Sequence, residues 1–176
     1  MYNRLATALF SCLLLTFSAT AQPVLPPGGP PSQPPPPAGG GGQTAALQTV
    51  TADEVAAIVR ENGLQQVETT KFGEHPAVIV RGWRGFNVGM AFYGCEAQGC
   101  VSIQIFTMGK APSHVDLQYV NNWNVRLRFT KLYLDKDNDF HLDLDVISEG
   151  GVTRNNIVAH LRVYDWMLVE LKGEKH

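Results

Sequence analysis

Cysteine is scarce in this sequence, excess charge of either sign is missing, and no apolar run reaches the length of a membrane span. Lys and Arg number 14 against 16 Asp and Glu, a formal charge of −2. That balance argues against nucleic acid or an anionic membrane as the main partner. The longest apolar run, Leu5–Phe17, falls short of the ~20 residues a membrane helix needs, so no transmembrane anchor is expected. The signatures of catalysis are missing too: there is no Gly-x-Ser-x-Gly elbow, phosphate loop or dinucleotide fingerprint. His75, His114, His141, His160 and His176 fall in separate elements, and no pair has the i, i+4 spacing of a helical metal site. The expectation is a non-enzyme with no cofactor and no metal.

What is present begins with an address. Arg4, the run Leu5–Phe17 and then Ala19-Thr20-Ala21 form a secretory signal with a small-x-small cleavage site. Residues 1–21 are therefore expected to be cleaved, leaving a periplasmic or secreted protein. Cys12 raises lipidation as an alternative, but three leucines follow it inside the apolar run, whereas a lipidated cysteine closes such a run. Cys95 and Cys100 remain, bracketing four residues between two strand-like runs, and a disulfide closing a hairpin is the simplest reading. A redox pair wants two intervening residues and a helix N-terminus. From Gln22 to Gln43, nine of 22 residues are Pro and six are Gly, a composition that builds no core. Residues 22–47 are read as a spacer, or else as a proline ligand for an aromatic groove. Residues 48–176 are long enough for one domain.

Periodicity then orders the domain as α-β-β-β-β-α-β-β-α, an α+β fold with an antiparallel sheet meander and helices against it. Thr51 and Glu54 form a capping box with a Val50–Val55 staple, and Asn62-Gly63 supplies the stop, so a helix is predicted over about 52–62. Strands are predicted near 65–71, 76–82, 86–93 and 100–107. In the third, Phe86, Val88, Met90 and Phe92 alternate with Asn87, Gly89 and Ala91, so its small side either accepts a close helix or stays open. A second helix is predicted after Pro112, with Ser113 as cap, through Val115, Tyr119, Val120, Trp123 and Leu127. Two strands follow near 129–135 and 139–147. Their apolar residues share a face only if opposed positions sum to an even number, which puts Lys131 and Tyr133 on one polar face with His141, Asp143 and Asp145. A last helix starts at the Thr153 cap. Its stripe Ile157, Leu161, Tyr164, Leu168, Leu171, widened by Val158, Trp166, Met167 and Val169, offers either a second contact surface or a doubly buried helix.

Two clusters carry possible chemistry. Asp135-Lys136-Asp137-Asn138-Asp139 opens like a calcium loop, but Phe140 stands where the loop needs Gly and Val146 where it needs Glu, so an acidic hairpin turn is the better reading. The denser signal is Asn121-Asn122-Trp123-Asn124 followed by Arg126, Arg128 and Lys131. Asparagine is a poor helix former, and three in four positions asks for a reason. Either these amides satisfy backbone of the neighbouring sheet while Trp123 fills the core, or Asn124, Arg128 and Lys131 line a site for an anionic or peptide ligand.

The chain also resembles the YbjN-like family of bacterial proteins, regarded as sensory transduction regulators. The likeness is carried by Asn121-x-Trp123-Asn124, Arg128-Phe129-x-Lys131-x-Tyr133-x-Asp135-x-Asp137, Leu142-x-Leu144-Asp145-Val146, Gly150-Gly151-x-Thr153 and Trp166. It implies a fold like that of type III secretion chaperones, an inclination to dimerise, protein-segment binding and no catalytic residues. The resulting expectation is an interaction module for a protein partner or envelope component, with Asn121, Trp123, Asn124, Arg128, Lys131, Trp166 and Leu168 as candidate binding residues and a homodimer as one outcome. The alternative is a small-ligand sensor or cryptic enzyme using Asn124, Arg128, Lys131 and His141. A third reading is a passive envelope component displayed on its spacer.

Overall fold

A computed structural model of the chain describes residues 46–47 and 49–173. The expected signal, Cys12 and nearly all of the expected spacer lie outside the described residues. Eleven elements follow in order: β1 (Ala46–Leu47), α1 (Ala52–Glu61), β2 (Val67–Phe72), β3 (His75–Trp83), β4 (Phe86–Tyr93), β5 (Ser102–Lys110), α2 (Leu117–Arg126), β6 (Lys131–Leu134), β7 (Asp139–Ile147), β8 (Val152–Thr153) and α3 (Arg154–Lys172). The six long strands form one antiparallel sheet in the order β2-β3-β4-β5-β7-β6. The longer, more apolar β7 takes the interior place beside β5, and the four-residue β6 is left at the edge, where a short strand offers little unpaired backbone.

The inner face of the sheet carries Val78, Val80, Val88, Met90, Phe92, Ile103, Ile105, Leu142, Leu144 and Val146, all buried in the core with Val55, Ile58 and Val59 of α1 and the α3 stripe. The capping box on α1 is formed, with Thr51 Oγ1 accepting from the Glu54 N–H and the Glu54 carboxylate accepting from the Thr51 N–H. In the β6–β7 hairpin Lys131 faces Asp143 and Tyr133 faces His141, the even-sum register expected from parity. The turn between them closes with Asn138 in the left-handed region at φ 59° and the Asp135 carboxylate accepting from the N–H groups of Asp137 and Asp139.

Several details depart from expectation. Helix α2 begins at Leu117 with Asp116 as its cap, because Pro112–Val115 closes a separate turn through the Val115 N–H and Pro112 carbonyl. Ser113 is not the cap. A two-stranded ribbon, β1 with β8, was not foreseen, and it brings Ala46 and Leu47 into the fold from the end of the expected spacer. The small-residue side of β4 is neither open nor helix-covered. Aromatic side chains roof it: a Cβ on Gly89 would enter the ring of Phe106, Phe72 packs at a tilt against Phe106 with ring centres 4.8 Å apart, and Ala77 and Ala91 are buried.

Cys95 and Cys100 are disulfide-bonded. The loop they close is tied to both ends of the fold: Cys100 exchanges both backbone hydrogen bonds with Val50, Thr49 Oγ1 donates to the Gln98 carbonyl, and buried Ser148 donates to the Cys100 carbonyl.

Candidate functional site

The dense Asn/Trp/Arg run becomes α2 and its connection into β6, and the structure separates its members. Trp123 is core, its indole N–H donating to Thr130 Oγ1 at 3.2 Å. Asn124 acts as a side-chain edge strand: Nδ2 donates to the Leu132 carbonyl at 2.8 Å and Oδ1 accepts from the Leu132 N–H at 3.0 Å. Both halves of its amide are thereby used, and the outward backbone of β6 is closed at Leu132. Asn124 and Trp123 are therefore structural. Asn121 is exposed on the side of the helix away from Trp123.

Arg128 and Lys131 remain at the surface, each against a ring. The Arg128 guanidinium lies 4.9 Å from the centre of Phe129, and the Lys131 ammonium 5.3 Å from that of Tyr133. Lys131 also pairs with Asp143 at 3.3 Å, and that hydrogen bond holds the Lys131 ammonium above its ordinary pKa. Desolvation and the nearby Asp143 carboxylate raise the Tyr133 phenol. His141 stacks on Tyr133 at 4.7 Å and meets the Asp135 carboxylate at 3.3 Å. The Asp139 N–H, with help from His141 and the Asp137 N–H, holds the Asp135 carboxyl below its usual range. His141 thus pairs with the turn acid and not with Asp143 or Asp145. The four residues of the small-ligand reading do not converge: Lys131 and His141 share the outer sheet face, while the amide of Asn124 is spent on the strand edge.

The surface expected on α3 is largely absent. Leu168 is fully buried together with Met167 and Tyr164, because α3 lies on the sheet and also meets α1, where Arg154 pairs with Glu61. Leu168 is corrected from binding residue to core residue. Trp166 is half-buried against the core.

What sequence reasoning missed is the apolar ridge on the far side of α2. Leu117 is 74% exposed, Val125 77% and Phe129 52%. Leu117, Asn121 and Val125 span an arc of about 80° on the helix, turned away from the buried Trp123. Phe129 is held out from the end of this ridge with φ 74°, a backbone region that a bulky side chain rarely adopts. The signal was available in Leu117 and Val125, whose helical phase differs from that of Val120 and Trp123, although one-sided amphipathicity hides such a second stripe. Among the described residues no group of three or more metal-ligating side chains comes together, and no helix is long and apolar enough to cross a membrane.

Comparison with known proteins is consistent with this architecture. The crystal structure of YbjN, described as a putative transcription regulator from E. coli, superposes with a TM-score of 0.54 at 13% identity, covering 72% of this chain and 91% of that one. The Yersinia pestis type III secretion chaperone SycH, solved with a fragment of YscM2, gives a TM-score of 0.48 at 15% identity, covering 70% of this chain and 98% of that one. No curated protein matches the chain. The family model described as YbjN, putative bacterial sensory transduction regulator, matches residues 51–169, a span that runs from the α1 cap into the last turns of α3. The chain therefore belongs to the YbjN family.

Proposed function

We propose that this protein is a non-enzymatic, protein-binding module that works outside the cytoplasm and engages its partner through the exposed flank of α2. One observation carries the reading: Leu117, Val125 and Phe129 are large apolar side chains left in solvent on α2 and just after it, while Val120 and Trp123 of the same helix are core. A contiguous exposed apolar patch rimmed by polar residues marks an interaction surface. Here the polar residues among and around the apolar ones are Asn121, Asn122 and Arg126 on the helix and Arg128 after it. Family membership agrees with a regulatory interaction module. The extracytoplasmic location rests on residues 1–21.

Two results test this together. N-terminal sequencing of the protein recovered from the periplasmic fraction is expected to start at Gln22; a full-length cytoplasmic product contradicts the location. Leu117→Ser with Val125→Ser is expected to leave thermal unfolding within about 0.5 kcal/mol of the parent, as surface changes do, while removing capture of the partner. Unchanged capture contradicts the α2 surface.

A further inference from the structure

We propose that the outer face of the sheet docks the chain's own proline-rich segment, residues 23–37. This face is distinct from the α2 flank, and the inference does not rest on that flank's role. It is built as an aromatic platform: Phe72 and Phe106 meet at 4.8 Å, His75 and Tyr93 at 4.4 Å, and Tyr133 stacks with His141 at the other end. The rings lie over a floor of Gly89, Ala77 and Ala91. Much of the platform is still in solvent, with Phe72 42% and Met108 47% exposed.

Proline-rich segments are the ligands such surfaces take, because their extended helix is preformed and their rings pack flat against aromatic faces. This chain carries that ligand. Its residues 22–45 contain nine prolines and no charged side chain, so seating them beside Asp143 and Lys131 sets no unlike or like charge against the face. The chain enters the fold at Ala46, which pairs with Thr153, and meets the corner loop at Val50, which pairs with Cys100, two residues before Ser102, whose partner across the sheet is Tyr93. The residues between Pro37 and Ala46 reach up to about 30 Å when extended, comparable to the length of a nine-residue strand. Tethering also supplies a local concentration on the order of millimolar, enough for a weak contact to be occupied.

Paramagnetic relaxation tests it directly on the chain from Gln22, with a nitroxide on Ser32→Cys; Cys95 and Cys100 are disulfide-bonded, leaving one thiol to label. Loss of the amide signals of Phe72, Phe106 and Met108, with those of Ile58 and Leu161 retained, is the expected result. Those signals should return when Pro34–Pro37 are replaced by serine, and also with Phe72→Ser, whose spectrum shows whether the fold is kept. Even broadening of both faces, broadening centred on Val125, or loss that persists unchanged in the serine variant overturns the proposal. So does loss in a mixture of labelled and isotopically enriched unlabelled chains, since that assigns the contact to a second copy.

Discussion

Asp165 accepts three hydrogen bonds from one hairpin: from Trp83 Nε1 at 2.7 Å and from Arg84 Nε and Nη2 at 2.8 and 2.7 Å. This single carboxylate fastens the β3–β4 turn to α3. It also explains why Arg84 tolerates φ 50°, since the bidentate pair holds the residue in a conformation it would otherwise avoid. Partial burial alone would raise the Asp165 carboxyl, but Arg84 and the Trp83 N–H more than offset it and hold it below its ordinary value. The sign of the pH effect follows. A group depressed in the folded state contributes stability above its unfolded pKa of about 3.9, and that contribution is lost as pH falls through the folded value. Asp165→Asn is expected to cost about 1 to 3 kcal/mol near pH 7, where it removes the carboxylate charge that accepts from Arg84 and Trp83. In urea melts the gap between variant and parent should close below about pH 4. A gap that stays constant into acid means the charge at Asp165 is not what holds the hairpin.

At the scale of elements, α2 and β6 show how far local pattern reaches. The core face of α2, the even register of the last hairpin and the cap of α3 all follow from apolar spacing and capping residues, which act over a few positions. The role of Asn124 was open between a ligand contact and a backbone partner, because its partner Leu132 belongs to an edge strand, and edges are decided by the order of the whole sheet. Leu168 was misread for a related reason: the width of the α3 stripe is visible in sequence, but that α1 covers part of it depends on a contact between the two ends of the chain. The start of α2 shifted because Pro112–Val115 closes its own turn, which leaves Asp116 as the first residue placed to cap the helix. Asn124→Ala is expected to destabilise the domain by about 1 kcal/mol and to speed hydrogen exchange at the Leu132 amide. Unaltered exchange there would remove the edge-lock role. On the other side of the sheet, Gly89→Ala must push the Phe106 ring outward and should cost about 1 to 3 kcal/mol by overpacking, read as a lower urea midpoint.

Taken whole, the molecule is a sheet with two chemically different faces, joined at one corner by the Cys95–Cys100 loop. The inner face is spent on the core with the helices, the outer face is aromatic and partly in solvent, and α2 adds a third, apolar flank beside the β6 edge. The corner loop binds the entering chain at Val50 and the end of β7 through Ser148. Cys95→Ser with Cys100→Ser is therefore expected to lower stability by about 2 kcal/mol, the entropy of so short a loop, and to expose Val50 to exchange. No loss of stability would mean the backbone pairing alone holds that corner. The central claim is that the α2 flank receives a protein partner, and its most direct test is photo-crosslinking in living cells with the probe at Val125. One discrete protein adduct is predicted from Val125, absent with the probe at Arg60 on α1 and abolished by Leu117→Ser. No adduct above background at Val125, or the same adducts from Arg60, would contradict it.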